Sequence, residues 1–175
     1  AGSLEVILKL LPGLNPALPF PIILVLHRKS GKDDILTNLL AGRTEMMVKE
    51  VEEKEEMLPA TIYIAPPNYH LLIETDPTFS LDASEKVNFS RPSIDVTFES
   101  AAEVFKENIV CLLLSGANSD GSAGLKIVKE FGGAALVQDP DSAVVSFMPE
   151  SAIANVEVDA VLKSSEMSEY INNLP

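Results

Sequence analysis

Five apolar residues in unbroken succession, Ile22-Ile23-Leu24-Val25-Leu26, stand between Pro21 and His27. The run is too short for a helix and lacks the alternation of a strand with one wet face. It therefore predicts a strand covered on both sides, the situation of strands in a parallel sheet. A parallel sheet needs crossover connections, and the remaining chain offers them. Leu4, Ile7, Leu8 and Leu11 keep the i, i+3, i+4, i+7 spacing of one helix face, stopped by Pro12-Gly13. Residues 33–40 read as a short helix, 46–51 as a strand, and 50–56 as an acidic loop or solvated edge. Residues 61–65 and 69–73 flank the turn signal Pro66-Pro67-Asn68 and predict two strands in a tight connection, with 79–81 as a third: an antiparallel excursion.

From Pro92 a helix is expected with Ile94, Phe98, Ala101, Ala102 and Phe105 on one face, leading into a strand at 109–114. A helix through Leu125, Val128 and Phe131 follows, then a strand at 134–138, helical turns at 149–155, a strand at 158–162 and a helix at 165–173. Such alternation predicts a doubly wound, mostly parallel α/β sheet. No repeat and no linker interrupts it, so residues 1–175 are expected to form one domain. A doubly wound fold also wants a strand ahead of its first helix, and none precedes Leu4.

Charge and cysteine count narrow the function classes. Thirteen Lys and Arg against twenty-six Asp and Glu give a net charge of −13, a poor match for nucleic acid, whose binding releases counterions to basic side chains. The apolar runs fall far short of the roughly 20 residues that span a bilayer, so no membrane insertion is expected. Cys111 is the only cysteine, which leaves no intramolecular disulfide and no cysteine metal site. Nothing reads as a signal peptide, and the default location is cytoplasmic.

In open α/β sheets, ligands gather beyond the carboxyl ends of the strands. His27 directly follows the run 22–26, and Asp120 lies six residues past Leu114 in the turn Ser115-Gly116-Ala117-Asn118-Ser119-Asp120-Gly121. A histidine and an aspartate at neighbouring strand ends suit the base and the orienting acid of a nucleophilic hydrolase, because the carboxylate fixes the imidazole tautomer that deprotonates a serine. The alternative is that His27 caps its strand and Asp120 the following helix. His70, the other histidine, reads as a strand residue in polar surroundings. Two histidines without metal-ligand spacing predict no metal, and the glycines form neither a Walker nor a dinucleotide fingerprint, so no cofactor is expected.

Several stretches together resemble the catalytic domain of the bacterial chemotaxis protein-glutamate methylesterase family. They are Ile22-Leu24-Val25-Leu26-His27, Tyr63-Ile64-Ala65-Pro66 with Tyr69-His70, Arg91-Pro92-Ser93-Ile94-Asp95-Val96, Leu113 through Gly121, and Gln138-Asp139-Pro140-Asp141-Ser142-Ala143-Val144-Val145 with Met148-Pro149. The resemblance implies a three-layer α/β/α serine esterase that hydrolyses γ-glutamyl methyl esters on the cytoplasmic domains of chemoreceptors; some members also deamidate glutamine there. By it, His27 is the general base and Asp120 its orienting acid. The family's serine lies in a Gly-x-Ser-x-Gly turn whose last two positions match Ala1-Gly2, so the nucleophile would be the residue before Ala1. The backbone N–H groups of Ala1 and Ala117 would face the oxyanion.

Ser3, where the family usually has glycine, is expected to be the N-cap of the first helix rather than a displaced nucleophile. Arg91 is a candidate contact for the acidic flank of the substrate, or else a salt bridge or cap at the start of the Pro92 helix. Relatives often carry a receiver domain or a fused methyltransferase; these 175 residues have room for the esterase alone, so the expectation is either a free-standing member or a domain of something longer with such a partner elsewhere. Without the serine, a binding or regulatory module on the same fold is the competing reading.

Overall fold

The computed structural model describes residues 2–29 and 33–175. Helix α1 (Ser3–Leu10) buries Val6, Ile7 and Leu10, with Leu11 buried just after it, whereas Leu4 and Leu8 of the expected face are only half-buried. Gly2 rather than Ser3 is its N-cap, with φ 87° and its carbonyl accepting from Val6 N–H at 3.3 Å. Ser3 thus lies inside the helix and makes no capping bond, because the left-handed glycine moves the helix start one residue earlier.

Strand β1 (Ile22–Leu24) pairs in parallel with β3 (Thr61–Ile64), whose other side takes β2 (Met47–Glu50), also parallel. Helix α2 (Asp33–Ala41) makes the crossover between β1 and β2. All four residues of β3 are buried, whereas those of β1 are only half-buried. Full coverage was expected of β1; it falls short because, among the described residues, β1 pairs on one side alone.

Strands β4 (His70–Ile73) and β5 (Phe79–Asp82) form the antiparallel excursion. The expected hairpin between 61–65 and 69–73 does not form. β3 is flanked on both sides by parallel partners, and two prolines in the connection supply no N–H for a ladder.

Helix α3 (Ile94–Phe105) leads to β6 (Val110–Leu113), helix α4 (Ser122–Glu130) to β7 (Ala134–Gln138), and helix α5 (Phe147–Asn155) to β8 (Ala160–Leu162), before the closing helix α6 (Met167–Asn172). These strands form a second parallel set ordered β6-β7-β8. Period-two alternation sends their side chains to opposite layers. Ile62, Ile64 and Leu136 join Leu10 of α1, Leu40 of α2 and Met167 of α6. On the other face Leu113, Ala135 and Val137 meet Ile94 of α3, Leu125 of α4 and Ala152 of α5. Three layers result. Both parallel sets end their chains toward one edge, where the loops carrying His27 and Asp120 emerge.

Candidate active site

The turn between β6 and α4 is shaped by glycine. Gly121 has φ 98°, and a Cβ there would stand 2.4 Å from Leu113 Cδ1. Only a residue without a side chain can hold that conformation this close to the strand. The tight turn carries Asp120 inward until none of its side chain is exposed. There its Oδ2 lies 2.6 Å from His27 Nε2, and the imidazole keeps 28% of its side-chain surface open to solvent. The two residues come together across 93 positions of sequence.

Four further groups donate to the same carboxylate. Ile94 N–H reaches Oδ2 at 2.6 Å, while Ser93 Oγ at 2.7 Å, Asp95 N–H at 3.0 Å and Asn88 Nδ2 at 3.3 Å reach Oδ1. Asp120 therefore caps a helix, but it is α3 and not the α4 that follows it. Burial pushes its carboxyl up, and the hydrogen bonds from His27, Ile94, Ser93 and Asp95 outweigh that and hold it at about 2. An ionised carboxylate can only accept, so His27 Nε2 carries the hydrogen and Nδ1 is left with the lone pair. That nitrogen is the one free to take a proton.

A second carboxylate answers the first. Asp95, in the opening turn of α3, accepts through Oδ1 from Gly121 N–H at 2.9 Å and Gly124 N–H at 2.6 Å, the start of α4, and through Oδ2 from Asn88 Nδ2 at 2.7 Å. Each aspartate thus holds the N-terminus of the helix bearing or following the other. Asp95 and Asn88 were not read as site residues from the sequence. An acidic residue in the first turn after a proline was the available signal, and it reads as an ordinary response to the helix dipole.

His70 is buried and structural, as expected. Its Nδ1 accepts from Ser93 N–H at 3.1 Å, so Nε2–H donates to the Glu85 carbonyl at 2.8 Å. This imidazole braces the loop that presents Ser93 to Asp120. Arg91 donates from Nη1 to the carbonyls of Ala83 (2.7 Å) and Ser84 (2.5 Å). It forms no ion pair with a described residue and caps no helix; it ties the loop before α3 back to the end of β5.

The start of α1 lies against the same turn. A Cβ on Gly2 would meet Val144 Cβ at 2.7 Å and Ser115 Oγ at 3.0 Å. Ser115 Oγ in turn donates to the Val145 carbonyl at 3.1 Å and accepts Val145 N–H at 3.0 Å. Ala117 is exposed, two residues along, and its N–H bonds to no described residue. Ala1 lies outside the described residues. Among the described residues, no group of three or more His, Cys, Asp and Glu side chains could hold a metal ion. No helix among them is long and apolar enough to cross a membrane.

A doubly wound α/β protein with a buried aspartate held against a histidine at the carboxyl edge of its strands has a build shared by nucleophilic hydrolases. The chain belongs to the CheB methylesterase family, whose sequence model matches residues 1–171. A relative from Leptospira interrogans is 47% identical over 174 residues, covering 99% of this chain and 90% of the relative. The protein-glutamate methylesterase/protein-glutamine glutaminase of Thermotoga maritima is 35% identical over 168 residues, which are 94% of this chain and 49% of that protein. The protein-glutamate methylesterase FrzG of Myxococcus xanthus is 34% identical over 166 residues, 95% of this chain and 50% of FrzG. The chain therefore spans about half the length of these last two. The crystal structure of the Thermotoga maritima CheB methylesterase catalytic domain superposes with a TM-score of 0.95 at 34% identity, over 99% of this chain and 94% of that one.

Proposed function

We propose that this domain hydrolyses γ-glutamyl methyl esters on the cytoplasmic domain of a chemoreceptor by a Ser-His-Asp mechanism, and that it works in the cytoplasm. The observation that carries the reading is the 2.6 Å contact between His27 Nε2 and the fully buried Asp120 carboxylate. It supports the tautomer with the hydrogen on Nε2, which would leave Nδ1 to act as base, in a family named for this esterase activity.

The nucleophile in this proposal is a serine immediately before Ala1, on a turn that ends at Gly2 and follows a first strand. Two features support that placement. Gly2 packs against Ser115 and Val144, beside the turn that carries Asp120. Strands β1 and β6 each pair on one side only among the described residues, and Val25 and Leu113, beside or within them, feed one core cluster. A further strand has edges to join there.

In the reaction, the serine Oγ attacks the side-chain ester carbonyl while His27 Nδ1 takes its proton. The N–H groups of Ala1 and Ala117 donate to the oxyanion. Collapse expels methoxide, which leaves as methanol with the proton from His27. Water then attacks the acyl-enzyme, again through His27, and releases glutamate and serine. Glutamine follows the same course with ammonia as the leaving group.

The test is methanol release from methylated receptor fragments by the full-length gene product. We expect His27→Ala to lower it by about 10²–10⁴-fold, and replacement of the preceding serine by alanine to lower it at least as far. No release from the intact product would favour a binding module in which Asp120 serves only as the cap of α3.

A further inference from the structure

The triad chemistry uses one buried carboxylate and leaves another beside it without a role. Asp95 is 8% exposed and Asp120 is fully buried, and the single amide of Asn88 donates to both, at 2.7 and 3.3 Å. The two are linked reciprocally. Asp120, just before α4, accepts from the first N–H groups of α3, and Asp95, within α3, accepts from those of α4. A helix start is capped as well by serine, threonine or asparagine. A second carboxylate within reach of the same amide as the first adds like-charge repulsion in a dry site, and capping alone does not call for it.

Resting on the hydrolase reading, we propose that Asp95, bridged to Asp120 by Asn88, is a positioning residue that fixes the angle of the Asp120 carboxylate and adds negative charge behind the His27–Asp120 pair. Two consequences follow from the geometry. With Gly121 and Gly124 held by Asp95, the turn carrying Asp120 cannot rotate without breaking two backbone hydrogen bonds. With a charge on Asp95, the imidazolium that forms when His27 takes the proton meets a second negative charge behind Asp120. The groups facing Asp95 are the Asp120 carboxylate, the Asn88 amide and the N–H groups of Gly121 and Gly124. Asp95 and Asn88 also line a cavity of about 320 Å³ to whose wall Lys126 contributes. Burial and the Asp120 charge push the Asp95 carboxyl up, against the pull of the Gly124 and Gly121 N–H groups and Asn88. Asp120 is held low, so the pair ionises in a fixed order, Asp120 first.

The experiment compares two substitutions of opposite sign in the full-length protein. Asp95→Asn keeps an oxygen for both glycine N–H groups and removes the charge. Asn88→Asp replaces the bridging amide itself, removing its two donations and placing a third carboxyl beside Asp95 and Asp120, at a half-buried loop position whose φ of 49° aspartate tolerates as asparagine does. His27 is followed by NMR of its ring protons, identified by their loss in His27→Gln. Its titration midpoint is expected to fall by roughly half a pH unit in Asp95→Asn and to rise by a similar amount in Asn88→Asp. The acid limb of methyl ester turnover should move with it, and kcat in Asp95→Asn should drop about 10–100-fold with KM changed less than about threefold.

A midpoint that stays put, or moves the same way in both variants, overturns the proposal whether or not turnover is lost, since a purely structural cap would produce that result. If Asp95→Asn fails to fold, Asn88→Asp decides alone. Absence of esterase activity in every form would defeat the hydrolase reading, while the imidazole titration would still decide this one.

Discussion

Asp120 has to remain ionised in a place where none of its side chain meets water. Five donors make that possible, and two of them are backbone N–H groups at the positive end of a helix. Its folded value of about 2 lies below the ordinary value of 3.8. The unfolded chain therefore binds this proton more readily than the folded one. The stabilisation is complete above the unfolded value and is lost as pH falls from there through about 2. The shift corresponds to about 2 kcal/mol. Urea unfolding of the wild type and Asp120→Asn should show a stability gap near pH 6 that narrows by about 1–2 kcal/mol near pH 2.5. A gap that stays constant with pH would mean that the carboxylate charge contributes nothing to holding α3 in place.

At the scale of elements, what the sequence reveals and what it hides divide along the difference between burial and partnership. The strand at 134–138 is recovered residue for residue as β7, and α1, α3 and α4 fall where their apolar spacing puts them. Periodicity reports which residues are inside, and that is a local property. It does not report which strand lies alongside. The prolines after Ala65 read as a hairpin turn, whereas β3 is committed to β1 and β2. Likewise, Asp120 was legible as a functional candidate from its place after a strand. The helix it caps begins 26 residues earlier, beyond any local pattern. Asp95 is hidden for the same reason: its glycine partners are 26 and 29 residues away.

The junction of these elements is Gly121. Gly121→Ala would force a Cβ into a left-handed conformation against Leu113, at a combined cost of roughly 2–4 kcal/mol from strain and overpacking. Denaturant unfolding should register that cost, and turnover should fall as the turn displaces Asp120. An alanine variant with wild-type stability and activity would show that the turn has another conformation open to it.

Over the whole molecule the dominant quantity is a net charge of −13. A substrate segment rich in glutamate, as the proposed function requires, carries charge of the same sign. Long-range electrostatics then slow the encounter instead of steering it. Recognition must come from contacts made after collision, around an imidazole that is only partly open to solvent. Salt shortens the reach of the repulsion, from a Debye length of about 30 Å at 0.01 M to about 8 Å at 0.15 M. Its effect on association should therefore be the reverse of that seen for oppositely charged partners. For methylated receptor fragments, kcat/KM is expected to rise by about two- to fivefold between 0.01 and 0.15 M salt, with kcat nearly unchanged because the buried His27–Asp120 contact is poorly screened. A small neutral methyl ester should show no such rise, which separates screening of the encounter from any effect of salt on the fold. If turnover of the receptor fragments instead falls as salt is added, opposite charges meet in the encounter, and either a basic patch of this acidic protein receives the segment or the acidic character of that segment has to be given up.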